Sequence, residues 1–168
     1  TYVRQKSQRG LGDAIAQASH LVNDSAFAIL LADDLIFSET SCLQQLIDIH
    51  KNTSASVIGI NEVPKSDVSK YGVIEAVNED SQLKIIDIIE KPDIADAPSN
   101  LAVVGRYVLD SDIFNYLKKV EEDSSNEIQL TDAIKLMLHD KDVFGCKYIG
   151  TKFDCGSKKG FVAATLYK

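Results

Sequence analysis

Apolar and polar residues alternate in blocks that predict helices and strands in turn. Apolar residues at helical spacing, among them Leu11, Ile15 and Val22, predict a helix in "GLGDAIAQASHLV", which begins at two glycines. The apolar run at residues 26–32 is too short for a helix and is typical of a strand buried on both faces. This succession indicates an α/β fold with a mainly parallel sheet.

The alternation continues to the end of the chain with one interruption. A helix around Leu46 and a strand in "SASVIGI" come next. From Tyr71 to Glu90, two strand-like runs flank the turn-prone "NEDSQ" and predict an antiparallel hairpin inserted into the sheet. The strand "LAVVGRYVL", two amphipathic helices, the strand "VFGCKYI" and a terminal helix follow. Without a repeat or linker, residues 1–168 are expected to form a single domain.

Composition narrows the class of function. The chain has 168 residues, of which 45% are hydrophobic and 26% charged, as in ordinary globular proteins, and it lacks an apolar run near the roughly 18 residues of a membrane span. Its formal charge of −7 argues against nucleic-acid binding, so we expect neither a nucleic-acid nor a membrane partner. Cys42, Cys146 and Cys155 form an odd set without a close pair, which favours a reducing, cytoplasmic location.

Charged residues gather where predicted strands end, which is where open α/β sheets bind ligands. Asp33 and Asp34 follow the first buried strand, and Asp154 follows the last one. Successive side chains of a strand point to opposite faces, so only one of Asp33 and Asp34 is expected to face the crevice. Taken singly, each carboxylate is better explained by helix capping or by a turn than by ligand binding.

Two further stretches carry groups suited to a nucleotide or a sugar phosphate. Gly10 lies just before a helix, where bare backbone can approach a ligand, and Gln5 adds an amide that can pair with a base edge. Glu90 can accept hydrogen bonds from sugar hydroxyls, and Lys91 can meet a phosphate. Pro92 predicts an extended backbone at Lys91. For Gln5 and Gly10 the competing interpretation is a simple helix entry. For Glu90 and Lys91 it is an exposed ion pair.

Seven motifs, taken together in order and spacing, resemble the bacterial UTP-glucose-1-phosphate uridylyltransferases, which are sugar nucleotidylyltransferases. The resemblance runs from about residue 2 to the end of the chain. It implies a Rossmann-like mixed, mainly parallel sheet flanked by helices, with an inserted β-hairpin, of the nucleotide-diphospho-sugar transferase type. The motifs are "RQKSQRGLGDA", "LLADD", "KYGVIEA", "IIEKP", "APSNLAVVGRYVL", "NEIQLTDAI" and "FDCGSKKGF".

The resemblance also implies a reaction and its catalytic residues. Members of this family transfer uridylyl from UTP to glucose 1-phosphate, giving UDP-glucose and pyrophosphate by in-line displacement assisted by Mg²⁺. By position in the motifs, Asp33 and Asp154 hold the metal, while Asp34 is not a ligand. Asp33 and Lys91 are the implied catalytic residues.

Ligand-binding residues are carried over in the same way. Gln5 and Gly10 are implied to read uracil, and Glu90 to hold glucose hydroxyls while Lys91 holds the sugar phosphate. Gly72 and Gly105 are implied to line the sugar site, where a side chain would collide with the ligand.

One departure from the family is large. Its members carry a glycine-rich loop with an Arg and a Lys that wraps the UTP phosphates, and none of the nine glycines here belongs to such a loop. We therefore expect the C-terminal part of a nucleotidyltransferase catalytic domain, truncated at the N-terminus and nearly inactive by itself, with exposed surface that favours a homo-oligomer. A thymidylyl- or adenylyltransferase of the same family, or a non-catalytic sugar-phosphate-binding module, are the alternatives.

Overall fold

The structure, a computed structural model, describes residues 1–23 and 25–167. Within this part, no helix is long and apolar enough to cross a membrane. The helices are α1 (Gly10–Gln17), α2 (Cys42–Thr53), α3 (Ile113–Leu117), α4 (Leu130–Met137) and α5 (Lys158–Leu166), with short 3₁₀ turns at Ser19–Leu21 and Lys65–Lys70. The strands are β1 (Phe27–Leu30), β2 (Asp34–Phe37), β3 (Ser56–Glu62), β4 (Gly72–Glu79), β5 (Gln82–Glu90), β6 (Leu101–Leu109), β7 (Val143–Lys147) and β8 (Thr151–Asp154).

Six strands form one sheet in the order β1-β6-β3-β7-β5-β4, and β2 pairs with β8 in a separate two-stranded ribbon. The α/β class and the inserted β4–β5 hairpin are confirmed. The pairing differs from the expected mainly parallel sheet, because β3–β7 is the one parallel pair in the described part of the chain. Strand β6 follows the hairpin without an intervening helix and enters between β1 and β3 in the opposite direction.

Strand β1 differs from the prediction in a second way. It lies at the edge of the sheet, and its residues alternate between half-buried and exposed rather than being buried on both faces. Phe27 faces inward and stacks on Phe114 with ring centroids 5.1 Å apart, whereas Leu30 is 52% exposed. Within residues 1–23 and 25–167, the apolar run therefore forms an edge strand with one face toward the core.

The main core lies between the sheet and the helices α3 and α4. Fully buried side chains such as Ile58, Leu109 and Ile134 meet there, and each is worth about 1.5–3 kcal/mol relative to exposure. A smaller cluster around Leu46 packs α2 against the sheet. Together they hold β6 rigidly in the sheet, which fixes the position of Gly105 in the site described next.

The start of α1 is tied to the segment that precedes α4. The Gly12 N–H donates to the Ile128 carbonyl at 2.9 Å, and the Ile128 N–H donates to the Arg9 carbonyl at 2.8 Å. The helix ends at Gln17, earlier than the apolar pattern predicts, and continues as a 3₁₀ turn, while Val22 still packs against the core.

Candidate active site

A cleft of about 470 Å³ opens between the β2–β8 ribbon, strand β6, the β4–β5 hairpin and the starts of α1 and α4. Its lining includes seven of the eight site residues that the sequence predicts. We call Asp33, Asp34, Lys152 and Asp154 the ribbon side, and Gly72, Glu90, Lys91 and Thr131 the hairpin side. The seven predicted residues are Gly10, Asp33, Gly72, Glu90, Lys91, Gly105 and Asp154.

On the ribbon side, two exposed carboxylates converge. Asp33 lies in the turn before β2, and Asp154 ends β8. The Cys155 N–H donates to the Asp33 carbonyl at 2.7 Å, which joins the two segments. A Cβ atom placed on Gly156 would lie 3.1 Å from Asp154 Oδ1 and 3.4 Å from Asp33 Oδ2, so both carboxylates border the same small space.

Asp34, the neighbour of Asp33, is buried and fully engaged. Its Oδ1 lies 3.0 Å from Lys152 Nζ, and its Oδ2 accepts the Gly105 N–H at 2.8 Å. The Lys152 ammonium also lies 5.2 Å from the centre of the Tyr71 ring. These contacts are consistent with the expectation that Asp34 is not a metal ligand. Lys152 was not predicted from the sequence, although a residue two positions before Asp154 on a strand shares its face.

A buried arginine ties the turn of Asp33 to the main sheet. Arg106 Nη1 donates to the carbonyls of Leu31 at 3.0 Å and Gly105 at 2.7 Å, and Nη2 donates to the Asp34 carbonyl. This residue was also missed, although a charged side chain inside the apolar run "LAVVGRYVL" must have buried partners. Arg106 thereby fixes the ribbon side against β6.

The hairpin side is built around Glu90, at the end of β5. Thr131 Oγ1 donates to Glu90 Oε2 at 3.0 Å, and Lys91 Nζ lies 3.4 Å from Glu90 Oε1. Thr131 was not predicted from the sequence. The predicted extended backbone at Lys91 is wrong, since its φ is +44°, in the left-handed region. Its N–H donates to the Tyr71 carbonyl at 2.9 Å, so the chain continues the hairpin ladder and must then turn sharply.

The glycines of the cleft leave room for the protein's own side chains. A Cβ atom on Gly105 would lie 2.6 Å from Leu31 Cβ, and one on Gly72 would lie 2.8 Å from Thr131 Cγ2. Gly10 has a φ of +85°, which favours glycine. Internal packing is therefore a sufficient reason for Gly72 and Gly105, besides the predicted collision with a sugar.

Gln5 is the one predicted residue absent from the cleft lining in the described chain. Its Nε2 donates to the Gly10 carbonyl at 3.1 Å and to Asp13 Oδ2 at 2.7 Å. Asp13 is buried and also accepts from Gln17 Nε2 at 3.3 Å. The Gln5 amide nitrogen is thus committed to the protein, and its Oε1 is the atom available as an acceptor.

Acidic groups outnumber basic ones in the cleft lining, with five carboxylates and three lysines. Each lysine already faces a carboxylate: Lys70 with Asp67 at 2.7 Å, Lys91 with Glu90 at 3.4 Å and Lys152 with Asp34 at 3.0 Å. Burial, together with the charges of Glu90 and Asp34, raises the pKa of Tyr107, which therefore remains a neutral hydroxyl. A polyanionic ligand would need an added cation here.

The ribbon side fits a hard divalent cation. Asp33 and Asp154 border one small space with carboxylate oxygens, which such ions prefer, although Asp154 Oδ1 also accepts the Gly156 N–H at 3.0 Å. No group of three or more His, Cys, Asp or Glu side chains suited to a metal occurs in residues 1–23 and 25–167. The protein would therefore supply two ligands and leave the other coordination positions to phosphate and water, as Mg²⁺ sites commonly do.

Curated relatives match almost the entire chain. A UTP-glucose-1-phosphate uridylyltransferase of Staphylococcus epidermidis is 46% identical over 166 residues, which are 98% of this chain and 58% of the relative. The enzyme of the same name from Staphylococcus haemolyticus is 44% identical, again over 98% of this chain and 58% of its own length. The chain thus spans somewhat more than half the length of these relatives.

Solved structures agree in fold. A UDP-glucose pyrophosphorylase complexed with UDP-glucose superposes with a TM-score of 0.93 at 41% identity, covering 98% of this chain and 64% of that one. The UDP-glucose pyrophosphorylase of Acinetobacter baumannii gives a TM-score of 0.83 at 37% identity, covering 98% and 57%.

A sequence profile of the family described as "Nucleotidyl transferase" matches residues 1–167. Nucleotidyltransferases generally use a divalent metal, and the paired carboxylates of the ribbon side suit one. Profile, relatives and fold agree that this chain belongs to the nucleotidyl transferase family.

Proposed function

We propose that this chain forms the sugar-phosphate and metal side of a uridylyltransferase that uses UTP and glucose 1-phosphate. In that reaction, a phosphate oxygen of glucose 1-phosphate bonds to the α-phosphorus of UTP, the bond to the β-phosphate breaks, and UDP-glucose and pyrophosphate form. One observation carries the proposal: a single cleft contains a convergent carboxylate pair and, on its other side, a Glu-Lys pair. The names of the relatives at 44–46% identity support the choice of substrates.

In this proposal, the hairpin side binds the acceptor. Glu90 accepts hydrogen bonds from glucose hydroxyls, and the Lys91 ammonium leaves its 3.4 Å contact with Glu90 to pair with the sugar phosphate. That exchange costs little, since the Lys91 side chain is exposed and such a pair contributes less than about 1 kcal/mol. Gly72 and Gly105 contribute the backbone walls of the sugar site.

The ribbon side would hold Mg²⁺ through Asp33 and Asp154. When bound, the ion would neutralise charge on the phosphate oxygens. The protein's own task is to keep the two carboxylates adjacent, which the Asp34–Lys152 pair and Arg106 support by fixing the ribbon to β6.

Uracil would be read at the start of α1. Gln5 presents its Oε1 as an acceptor, and the N3–H of uracil is a matching donor. Gly10 lines the cleft and allows close approach of the base to the backbone. Asp13 holds the Gln5 amide in the required orientation.

We also propose that residues 1–168 act as a single domain, part of a nucleotidyltransferase catalytic domain, in a reducing cytoplasm and as a homo-oligomer. The three free cysteines support the reducing compartment. Exposed apolar side chains on the ribbon and α5 support self-association, among them Phe37, Phe161 and Leu166. Light scattering coupled to gel filtration checks the assembly, and a monomer at all concentrations would contradict it.

Calorimetric titration of this chain with UDP-glucose, dTDP-glucose and ADP-glucose, each with and without Mg²⁺, tests the function. We expect UDP-glucose to bind most tightly and Mg²⁺ to strengthen its binding. A preference for dTDP-glucose or ADP-glucose would favour the related transferases instead. Binding of glucose 1-phosphate alone, with neither metal dependence nor base preference, would favour the non-catalytic module.

A phosphorus NMR time course with Mg²⁺, UTP and glucose 1-phosphate measures whether the chain catalyses the formation of UDP-glucose and pyrophosphate. We expect very slow turnover, because each lysine of the cleft lies beside a carboxylate and its charge is partly offset before the UTP phosphates arrive. Rapid production of UDP-glucose by this chain would contradict that expectation, while establishing the reaction.

A further inference from the structure

The segment before and at the start of α4 contacts both the loop that carries Gly10 and the hairpin side of the cleft. Ile128 exchanges two backbone hydrogen bonds with the loop that carries Gly10, as described above. Three residues later, Thr131 donates its hydroxyl hydrogen to Glu90, which lies 41 positions away along the chain. Thr131 is 7% exposed and belongs to the cleft lining.

The conformation of the Thr131 side chain is fixed on both of its branches. Its methyl group lies against Gly72, where an added Cβ atom would come within 2.8 Å. The hydroxyl then faces Glu90, and a buried hydroxyl needs such an acceptor. Rotation of the side chain would take the hydroxyl away from Glu90.

The contact of Glu90 with Lys91 is weaker than its hydrogen bond from Thr131. Its contact with Lys91 is 3.4 Å long, and the lysine side chain is 55% exposed, so solvent screens this pair. Burial, and then the negative charges of Glu90 and Asp123, raise the pKa of Asp132, so Glu90 lies near other acidic groups. The neutral Thr131 hydroxyl can hold the Glu90 carboxylate among these acidic groups without neutralising its charge.

We propose that Thr131 is a positioning residue whose hydroxyl orients Glu90 toward the hydroxyl groups of the bound sugar. The inference rests on the proposed role of Glu90 in the function above. With Oε2 held by Thr131, Oε1 and the remaining lone pairs of Glu90 face the ligand. Thr131 itself touches Glu90 rather than the reacting phosphate.

The test compares Thr131→Val, which keeps the shape but loses the hydroxyl, with Thr131→Ser, which keeps the hydroxyl. Binding of glucose 1-phosphate and of inorganic phosphate to this chain is measured by calorimetry. We expect Thr131→Val to weaken glucose 1-phosphate binding about tenfold and phosphate binding less than about twofold. Thr131→Ser is expected to restore glucose 1-phosphate binding to within about threefold of the wild type.

Thr165→Val is a matched control, because Thr165 also donates a hydroxyl hydrogen bond in a helix, to the Phe161 carbonyl, and is not part of the cleft lining. It should change neither affinity. Thr131→Ala removes the same hydroxyl but, unlike Thr131→Val, places no methyl group against Glu90. It must show the same selective loss of glucose 1-phosphate binding. This second variant tests the proposal even if the Thr131→Val chain does not fold.

The outcomes separate the two proposals. Equal weakening of both ligands, or no change in either, would overturn the positioning role of Thr131. A wild-type chain that binds glucose 1-phosphate no better than phosphate would overturn the proposed sugar site itself, whatever the variants do.

Discussion

The two sides of the cleft hold their central carboxylates by different means. On the ribbon side, Asp34 is buried and faces a lysine whose side chain is only 13% exposed, with a backbone N–H on its second oxygen. On the hairpin side, Glu90 is half-buried and faces a neutral threonine hydroxyl. A fully paired carboxylate stabilises the fold, whereas one oriented by a neutral donor keeps its charge for a ligand.

The largest expected effect breaks the ribbon side. Asp34→Ala removes the partner of a largely buried ammonium and the acceptor of the Gly105 N–H, so we expect the free energy of unfolding to fall by about 3–5 kcal/mol. Urea unfolding followed by circular dichroism measures it.

Glu62→Ala is the matched control for Asp34→Ala, because Glu62 pairs with Lys147 at 2.7 Å on the exposed surface. Its cost is expected to be much smaller, since water replaces the lost contact. Equal costs for the two substitutions would remove the distinction between the buried and the exposed pair.

The next largest effects come from the glycines, one on each side of the comparison. Gly105→Ala places a Cβ atom 2.6 Å from Leu31 Cβ, which cannot rotate away, and should destabilise the fold by about 1–3 kcal/mol. Gly72→Ala instead presses on the Thr131 methyl at 2.8 Å. We expect it to cost less stability but to weaken glucose 1-phosphate binding, since the hydroxyl contact with Glu90 is displaced.

Thermal unfolding and calorimetric titration of both glycine variants separate these effects. The comparison fails if Gly105→Ala impairs only ligand binding while Gly72→Ala impairs only stability.

The smallest expected effect concerns Asp132, beside the hairpin side. Burial, then the charges of Glu90 and Asp123, raise the pKa of this carboxyl in the folded state. Its contribution to stability is therefore complete below its unfolded-state pKa and is lost as the pH rises through the folded-state pKa. Asp132→Asn should raise the free energy of unfolding at pH 7 by less than about 1 kcal/mol, because solvent screens this half-buried charge.

At about pH 3, where the carboxyl is mostly protonated, the Asp132→Asn and wild-type chains should be equally stable. Asp93→Asn, at an exposed carboxyl in the loop after Lys91, is the control and should leave the free energy of unfolding at pH 7 nearly unchanged. A destabilising effect of Asp132→Asn at pH 7 would show that Asp132 is favourably paired.

Sequence patterns predicted the parts of the site that depend on local position. Motif residues near strand ends, such as Asp33, Glu90 and Asp154, meet in one cleft, although Asp154 belongs to the separate β2–β8 ribbon and not to the main sheet. The contact between Thr131 and Glu90 could not be predicted in this way, since it depends on the packing of α4 against the hairpin. The antiparallel course of β6 was missed for a similar reason, because direction is set by the connection rather than by the strand's own residues.

Local rules also failed where tertiary contacts were stronger. Pro92 favours an extended residue before it, yet Lys91 has a positive φ at the point where its N–H makes the last bond of the hairpin ladder and the chain turns away. The apolar run of β1 predicted burial on both faces, but within the described residues β1 pairs on one side, with β6, and its side chains alternate between half-buried and exposed. Strand alternation predicted that only one of Asp33 and Asp34 faces the crevice, but both line the cleft. What distinguishes them is the pairing of Asp34 with Lys152, which the sequence did not predict.

The proposed difference between Asp33 as a metal ligand and Asp34 as a structural carboxylate is tested most directly by comparing Asp33→Asn with Asp34→Asn. Mn²⁺ takes oxygen ligands similar to those of Mg²⁺, and its binding in the presence of UDP-glucose is followed by electron paramagnetic resonance. The free energy of unfolding is measured by urea unfolding of the same samples. The account predicts that Asp33→Asn abolishes Mn²⁺ binding with little change in stability, whereas Asp34→Asn lowers stability and the folded fraction still binds Mn²⁺. Loss of Mn²⁺ binding by a stable Asp34→Asn chain, with binding retained by Asp33→Asn, would contradict it.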